Sequence, residues 1–378
     1  MNYVTLKGVC NINMGQSPDS KSYNEFEDGL PFFQGNADFG ERYPITRTWC
    51  NSPTKIAEKD DILISVRAPI GALNYAKETC CIGRGLAAIT PDKTKVATEF
   101  IFWLLKGKNQ ELNRLGTGST FKAISKKVLE NTRIPEIPLE KQIECSNILE
   151  KIYSIITHRK QQLEKLDLLV KARFVEMFGD PVSNPMEWRK KNLKDVCVKL
   201  NDGTHFSPES FETGEYKYVT AKNIKRSGFD FSNITYVSEE VHRSIYERCN
   251  PEYEDVLYIK DGATTGIAMV NTLKEEFTLL SSVALLKQDR TIINGYFLTA
   301  LLNNEDMYSN IRNNMGGAAI TRLTIAKLNT INIIIPPLDL QTKFANFVKQ
   351  VDKSRVAIQN DLEQAQMLFD SLMQEYFG

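Results

Sequence analysis

Two long uninterrupted stretches constrain this chain more than anything else in it. Leu139 to Phe178 contains neither Pro nor Gly, with Pro138 just before it and Gly179 and Pro181 just after. That is the punctuation of a helix start and stop. At ~1.5 Å per residue, about 40 residues make a rod of about 60 Å. Apolar residues recur every seven positions at Leu149, Ile156, Leu163, Val170 and Met177, with Ile152, Arg159, Leu166 and Arg173 between them. This is a coiled-coil seam carrying two arginines, and a lone helix cannot bury it.

The partner lies in the same chain. Leu338 to Phe377 follows Pro337 as Leu139 to Phe178 follows Pro138; PLDLQT answers PLEKQI, and both stretches close on Phe-Gly. Gly317 minus Gly118, Pro337 minus Pro138 and Gly378 minus Gly179 are each 199. Carried across, the seam falls on Val348, Val351, Arg355, Ile358, Leu362, Ala365, Phe369, Leu372 and Tyr376, where only Arg355 is polar. A constant offset over such a length marks an internal repeat.

The segments before each rod repeat as well. VTLKGVC returns as KNLKDVCVKL, DDILISVRAPIGALNYA as EDVLYIKDGATTGIAMV, and TEFIFWLLKGKNQELNRLG as GYFLTALLNNEDMYSNIRN. The first is a strand-like opening, the second a strand pair about a turn at Pro69–Gly71, the third a helix, and TRIPEIP is a last strand. The offset grows from 187 to 199 through these globular parts and then stays constant through the rod. Insertions therefore fall in the loops of the heads and none in the rods.

The expected fold is α+β: two similar globular α/β heads joined by two long helices in an antiparallel coiled coil, with pseudo-two-fold symmetry. The expected divisions are a first head over 1–138, a helix over 139–179, a Pro-containing linker over 180–187, a second head over 188–337 and a second helix over 338–378. Antiparallel rods would set the heads at opposite ends and bring Arg159 and Arg355 toward the middle. Cations at a seam call for carboxylate partners, an outside ligand, or stems that pack while the charged ends reach water.

Composition narrows the function. With 47 basic and 47 acidic residues the net charge is zero, so this is no generic polycation. Charge is instead sorted locally: Lys217 to Arg226 holds four basic residues and no acidic one. Without a long apolar run or an N-terminal signal pattern, neither a membrane span nor secretion is expected. Seven cysteines without Cys-x-x-Cys spacing fit a reducing, cytoplasmic compartment. The three histidines, His158, His205 and His242, are scattered, so no metal site is expected. GTGST lacks the ending of a phosphate-binding P-loop, and neither a methyltransferase motif nor a nucleophile–base pair is legible. The chain is expected not to be an enzyme.

What remains is loops carrying readout chemistry. Arg suits guanine, Asn and Gln suit adenine, and Thr and Ser suit base edges or phosphates, while Gly admits close backbone approach. Candidate DNA-binding residues in the first head are Gln34, Asn36, Arg42, Arg67, Arg84 and Lys122, the last in GSTFKA (118–123). In the second they are Thr204, His205, Lys222, Asn223, Lys225, Arg226, Lys260, Thr264, Thr265 and Arg322, the last closing GGAAITR (316–322).

Head, PL-x-x-Q helix, linker, head, PL-x-x-Q helix resembles the specificity subunit of type I restriction–modification enzymes. PLEKQ (138–142), PLDLQ (337–341), the two Phe-Gly endings and the segments DDILISVRAPIG and EDVLYIKDGATTG carry the resemblance, which spans Val4 to Gly378. It implies that each head is a target recognition domain for half of a split sequence in double-stranded DNA. It further implies that the helices dock two modification (methyltransferase) subunits, and that restriction (motor-nuclease) subunits join them. S-adenosylmethionine, ATP and Mg²⁺ would belong to those partners, with no cofactor on this chain. One alternative is a related system with methylation and cleavage on a single partner chain. Another is a protein-binding coiled-coil scaffold, which the zero net charge favours.

Overall fold

The computed structural model describes residues 2–118, 122–313 and 322–378. It divides into two compact units, Met1–Lys160 with Asn360–Gly378, and Gln161–Gln359.

The first unit is built on a four-stranded antiparallel sheet. Its strands are β1 (Cys10–Met14), β2 (Ile62–Ser65), β3 (Leu73–Tyr75) and β4 (Leu86–Pro91), in the order β1-β4-β2-β3. Ile62, Ile64, Ala87 and Ile89 turn one face onto helix α1 (Thr98–Gly107), whose Phe100 to Leu105 are all buried. Leu63, Leu86 and Ala88 fill a second core on the other face with Phe33 and Ile82. Alternation along each strand thus feeds two cores, the pattern of a sheet covered on both sides. The opening VTLKGVC, expected as one strand, is three pieces: strand Tyr3–Thr5, helical turn Leu6–Val9, then β1. Leu6 and Val9 both drop into the core, three residues apart, and a continuous strand would have pointed them to opposite faces.

Helix α2 (Leu139–Phe178) leaves the first unit and enters the second. The second unit repeats the sheet with β5 (Cys197–Asp202), β6 (Val256–Ile259), β7 (Ala268–Val270) and β8 (Val283–Gln288), ordered β5-β8-β6-β7. β5 carries one more residue than β1, absorbed as a register shift between Cys197 and Lys199. Helices α3 (Gly295–Asn303) and α4 (Glu305–Asn313) follow, and the chain closes with α5 (Leu338–Phe377).

In each unit one half of α2 packs beside the opposite half of α5, so the helices run antiparallel. Leu149, Ile152 and Ile156 are buried in the first unit with Phe369 and Phe377, and Leu362, Ala365, Leu372 and Tyr376 pack around them. In the second unit Val351 is buried, while Leu163, Leu166, Val170 and Ile358 are half-buried. Both seam arginines meet carboxylates: Arg159 lies 3.0 Å from Asp361, and Arg355 reaches Asp167 and, at 3.4 Å, Asp352.

The PL-x-x-Q motif has a physical reading. Gln142, 3% exposed, accepts from Ala97 N–H at 2.9 Å and donates to the carbonyls of Ile137 and Lys95. Gln341, fully buried, accepts from Asn294 N–H at 2.9 Å and donates to Pro336 and Ile292. Each glutamine bolts the first turn of a rod to the loop ahead of its own head helix. Gln341→Leu should destabilise the second unit by about 2–4 kcal/mol, because one N–H and two carbonyls lose a buried partner. Urea unfolding measures this; a loss under about 0.5 kcal/mol would show that water replaces the amide.

Candidate nucleic-acid interface

In both heads the loops converge on one segment. In the first head that segment is Cys81–Leu86. Gly15 and Gln16 donate backbone N–H groups to Leu86 and Ile82, Gly83 and Gly85 donate to Phe33 and Gln34, and Val66 donates to Gly85. Ile124 donates to Val66 in turn. A Cβ on Gly85 would stand 2.3 Å from the Gln34 carbonyl, so only glycine admits this approach. Gln34, Arg67, Arg84 and Lys122 are exposed on these loops, and Asn36 is half-exposed in the turn Asn36–Asp38.

The second head repeats the arrangement around Leu279–Val283. Gly203 donates to Val283, Thr204 to Leu279, Leu280 to Val219, Lys260 to Ser282 and Leu323 to Lys260. A Cβ on Gly203 would fall 1.8 Å from the Leu279 carbonyl. His205, Lys222, Lys225, Arg226, Thr264 and Arg322 are exposed on these loops. Ser119, Thr120 and Phe121 of the loop expected over 118–123, and residues 316–321 of the loop expected over 316–322, lie outside the described residues.

Five candidates turn inward. Arg42 pairs with Glu150 of α2, and its guanidinium sits 4.8 to 5.8 Å from the ring centroids of Phe102, Trp103, Tyr153 and Tyr75. It pins a loop to the helix junction, and cation–π contact rather than DNA accounts for its place. Lys260 is 2% exposed, between Asp202 and Asp261. Thr204 is buried, its Oγ1 accepting from Phe206 N–H. Asn223 caps a turn, accepting from Thr220 N–H and donating to Asp230. Thr265 donates its hydroxyl to the Gly262 carbonyl at 2.7 Å. Short polar side chains in such loops more readily satisfy their own backbone than face outward.

The structure adds residues that spacing did not single out. Arg248 lies 3.5 Å from Asp202 and donates to the Gly203 carbonyl, beside His205. Tyr308 and Arg312 of α4 share one face, four residues apart; Arg312 donates to the Tyr308 hydroxyl at 3.0 Å and to the Thr265 carbonyl at 2.9 Å. Arg226 and Arg312 each hold a guanidinium 5.4 Å from the Tyr308 ring centroid. The i, i+4 pair on α4 is the signal that could have found the last two.

Beside Arg42, the Lys106 ammonium lies 3.9 Å from the Tyr153 ring centroid. Burial, then repulsion from Arg42 and Lys160, pushes its pKa down from 10.5 to about 8. The unfolded chain therefore holds more protons than the folded one between about pH 8 and 10.5, so this residue's penalty is full below pH 8 and fades as pH rises. Lys106→Met should raise stability by about 1–2 kcal/mol at pH 7, part of the relief being offset by the lost cation–π contact. The gain should shrink by pH 10; calorimetry at the two pH values decides, and an equal gain at both would refute the assignment.

The thiols of Cys10, Cys80, Cys197 and Cys249 are pushed up to about 12, chiefly by burial, which leaves them unreactive. Among the described residues there is no cluster suited to a metal ion, and no helix is long and apolar enough to cross a membrane.

Comparison with known proteins agrees with the duplicated architecture. The family model described as "Type I restriction modification DNA specificity domain" matches twice, over residues 1–166 and 185–365. The MjaX specificity subunit of a type I restriction enzyme from Methanocaldococcus jannaschii is 45% identical over 156 residues, 41% of this chain and 37% of that relative's length. The MjaIX specificity subunit of the same organism is 23% identical over 399 aligned positions, covering 97% of this chain and 90% of the relative. The crystal structure of a type I S subunit from M. genitalium shares the fold, with a TM-score of 0.68 at 16% identity over 100% of this chain and 96% of that one. Duplicated heads, PL-x-x-Q helices and the double family match lead to one conclusion: the chain belongs to the type I restriction–modification DNA specificity family.

Proposed function

We propose that this chain is the sequence-reading subunit of a type I restriction–modification complex, each head reading one half of a split target in double-stranded DNA. One observation carries the reading: the same loop convergence occurs twice on the same backbone hydrogen bonds, with different side chains exposed in each copy. A shared scaffold with unlike loop tips suits two unlike half-sites. The helices act as the spacer. Helices α2 and α5 are each 40 residues long, so neither differs from the other by an insertion.

The helices also dock the partners. Ile143, Ile155, Leu168, Leu169 and Val175 of α2, with Val356, Met367 and Leu368 of α5, are apolar side chains exposed outside the buried seam. They support seats for two methyltransferase subunits, with motor-nuclease subunits joining for cleavage. S-adenosylmethionine, ATP and Mg²⁺ act on those subunits, in the cytoplasm. A single heptad added to both α2 and α5 lengthens each by about 10 Å, near the rise of three base pairs at ~34 Å per ten. Mapping of methylated sites should then show the same two half-sites across a longer gap. Altered half-sites with an unchanged gap would defeat the spacer reading.

A further inference from the structure

We propose that the buried Asp202–Lys260 pair is a positioning device that presets His205, Arg248 and Arg322 for recognition of the second half-site. The inference rests on the DNA-reading function proposed above and names the residues that organise one head's share of it.

The two heads can be compared position by position through their sheets. Ala87 of β4 pairs with Met14, and Ala284 of β8 pairs with Asp202. Val66 follows β2 and donates to Gly85, as Lys260 follows β6 and donates to Ser282. Ile124 donates to Val66 as Leu323 donates to Lys260. So Asp202 stands where the first head has Met14, and Lys260 where it has Val66. In the first head both residues are apolar: Val66 lies in the hydrophobic core, and Met14, half-buried, packs against it. In the second, both are charged and almost wholly buried.

The fold therefore does not require an ion pair here. A buried pair gains nothing dependable over an apolar pair of similar volume, because desolvation offsets the attraction. Its reason lies in what it holds. Asp202 lies 3.3 Å from Lys260, 3.2 Å from His205 and 3.5 Å from Arg248. Asp261 lies 2.9 Å from Lys260 and 3.2 Å from Arg322. Two carboxylates, themselves fixed by one buried ammonium, gather three side chains from three separate loops. Those three are more than half exposed, while Lys260 has no surface to offer a ligand.

The charges add up to an anion-facing platform. Lys260, Arg248 and Arg322 against Asp202 and Asp261 leave one positive charge before His205 is counted. Long basic side chains lose rotamer freedom when they bind, and anchoring them beforehand removes part of that cost. Lys260 thus acts through its neighbours and is a positioning residue.

The test copies the first head into the second with the double variant Asp202→Met/Lys260→Val. The full chain, assembled with its methyltransferase subunits, selects duplexes from a random pool, and thermal melting is followed in parallel. The expected result is an unchanged half-site for the first head and discrimination reduced about tenfold at one or more positions of the second, at an unchanged Tm. If both half-sites keep full selectivity, the pair is core packing and the proposal falls. Should the double variant fail to fold, Arg248→Gln and Arg322→Gln decide, because both side chains are more than half exposed: loss confined to the second half-site supports the platform, and full selectivity in both refutes it. A wild-type chain that selects no sequence at all defeats the DNA-reading function instead, a separable outcome.

Discussion

Replacing Phe344 by Ala should cost the second unit about 3–5 kcal/mol. Four rings from three helices meet there: Phe174 and Phe178 from α2, Phe297 from α3 and Phe344 from α5. Their centroids lie 4.8 to 5.7 Å apart, with edge-on, tilted and stacked geometries, and all four are at most 2% exposed. Removing one ring forfeits its burial, leaves a cavity and breaks two edge-on contacts, worth about 0.5–1.5 kcal/mol each beyond area. The cluster joins both rods to the second head, so the loss should appear as a lower melting temperature of that unit. Phe26→Ala, at an 89% exposed ring, is the control and should change stability by less than about 0.5 kcal/mol. Equal melting curves for the two variants would mean that these rings do not hold the junction.

The second large effect concerns DNA. The triple variant Lys222→Ala/Lys225→Ala/Arg226→Ala should lower affinity for duplex DNA by about 10- to 1000-fold at moderate salt. The slope of log K against log salt should flatten by about 2.7, from ~0.9 per phosphate contact. All three residues are exposed on one basic loop; Lys225 comes no nearer than 3.9 Å to Asp230, and Arg226 rests on the Tyr308 ring. Their removal leaves the core untouched, so folding is not at stake. Salt titrations by fluorescence anisotropy read the slope directly, and a slope equal to that of the wild type would place the loop away from the phosphates.

The long helices, the internal repeat and the order of elements in each head were legible in the sequence because they rest on periodicity and punctuation. A seven-residue apolar repeat without Pro or Gly has one compact solution, and the PL-x-x-Q start recurs because a buried amide at that spot ties three backbone groups. Arg159 and Arg355 could be placed at the seam for the same reason, but that carboxylates meet them, among the outcomes the sequence left open, came only from the structure. The aromatic cluster was not legible. Phe174 and Phe178 fall off the heptad, since the end of α2 packs on α3 of the head as well as on α5.

For the candidate site, residue type alone suggested loops but not direction. Lys222, Lys225, Arg226, His205 and Arg322 face outward, whereas Arg42 and Lys260, equally basic, do not. Glu150, the partner of Arg42, lies 108 positions away in the chain, and Lys260 is held between its neighbour Asp261 and Asp202, 58 positions away. Local patterning carries what depends on neighbours three, four or seven residues apart, and so it determined the rods, the duplication and the family. Which charged side chains are free to meet a ligand depends on desolvation and pairing between distant segments, and only the tertiary structure decides that.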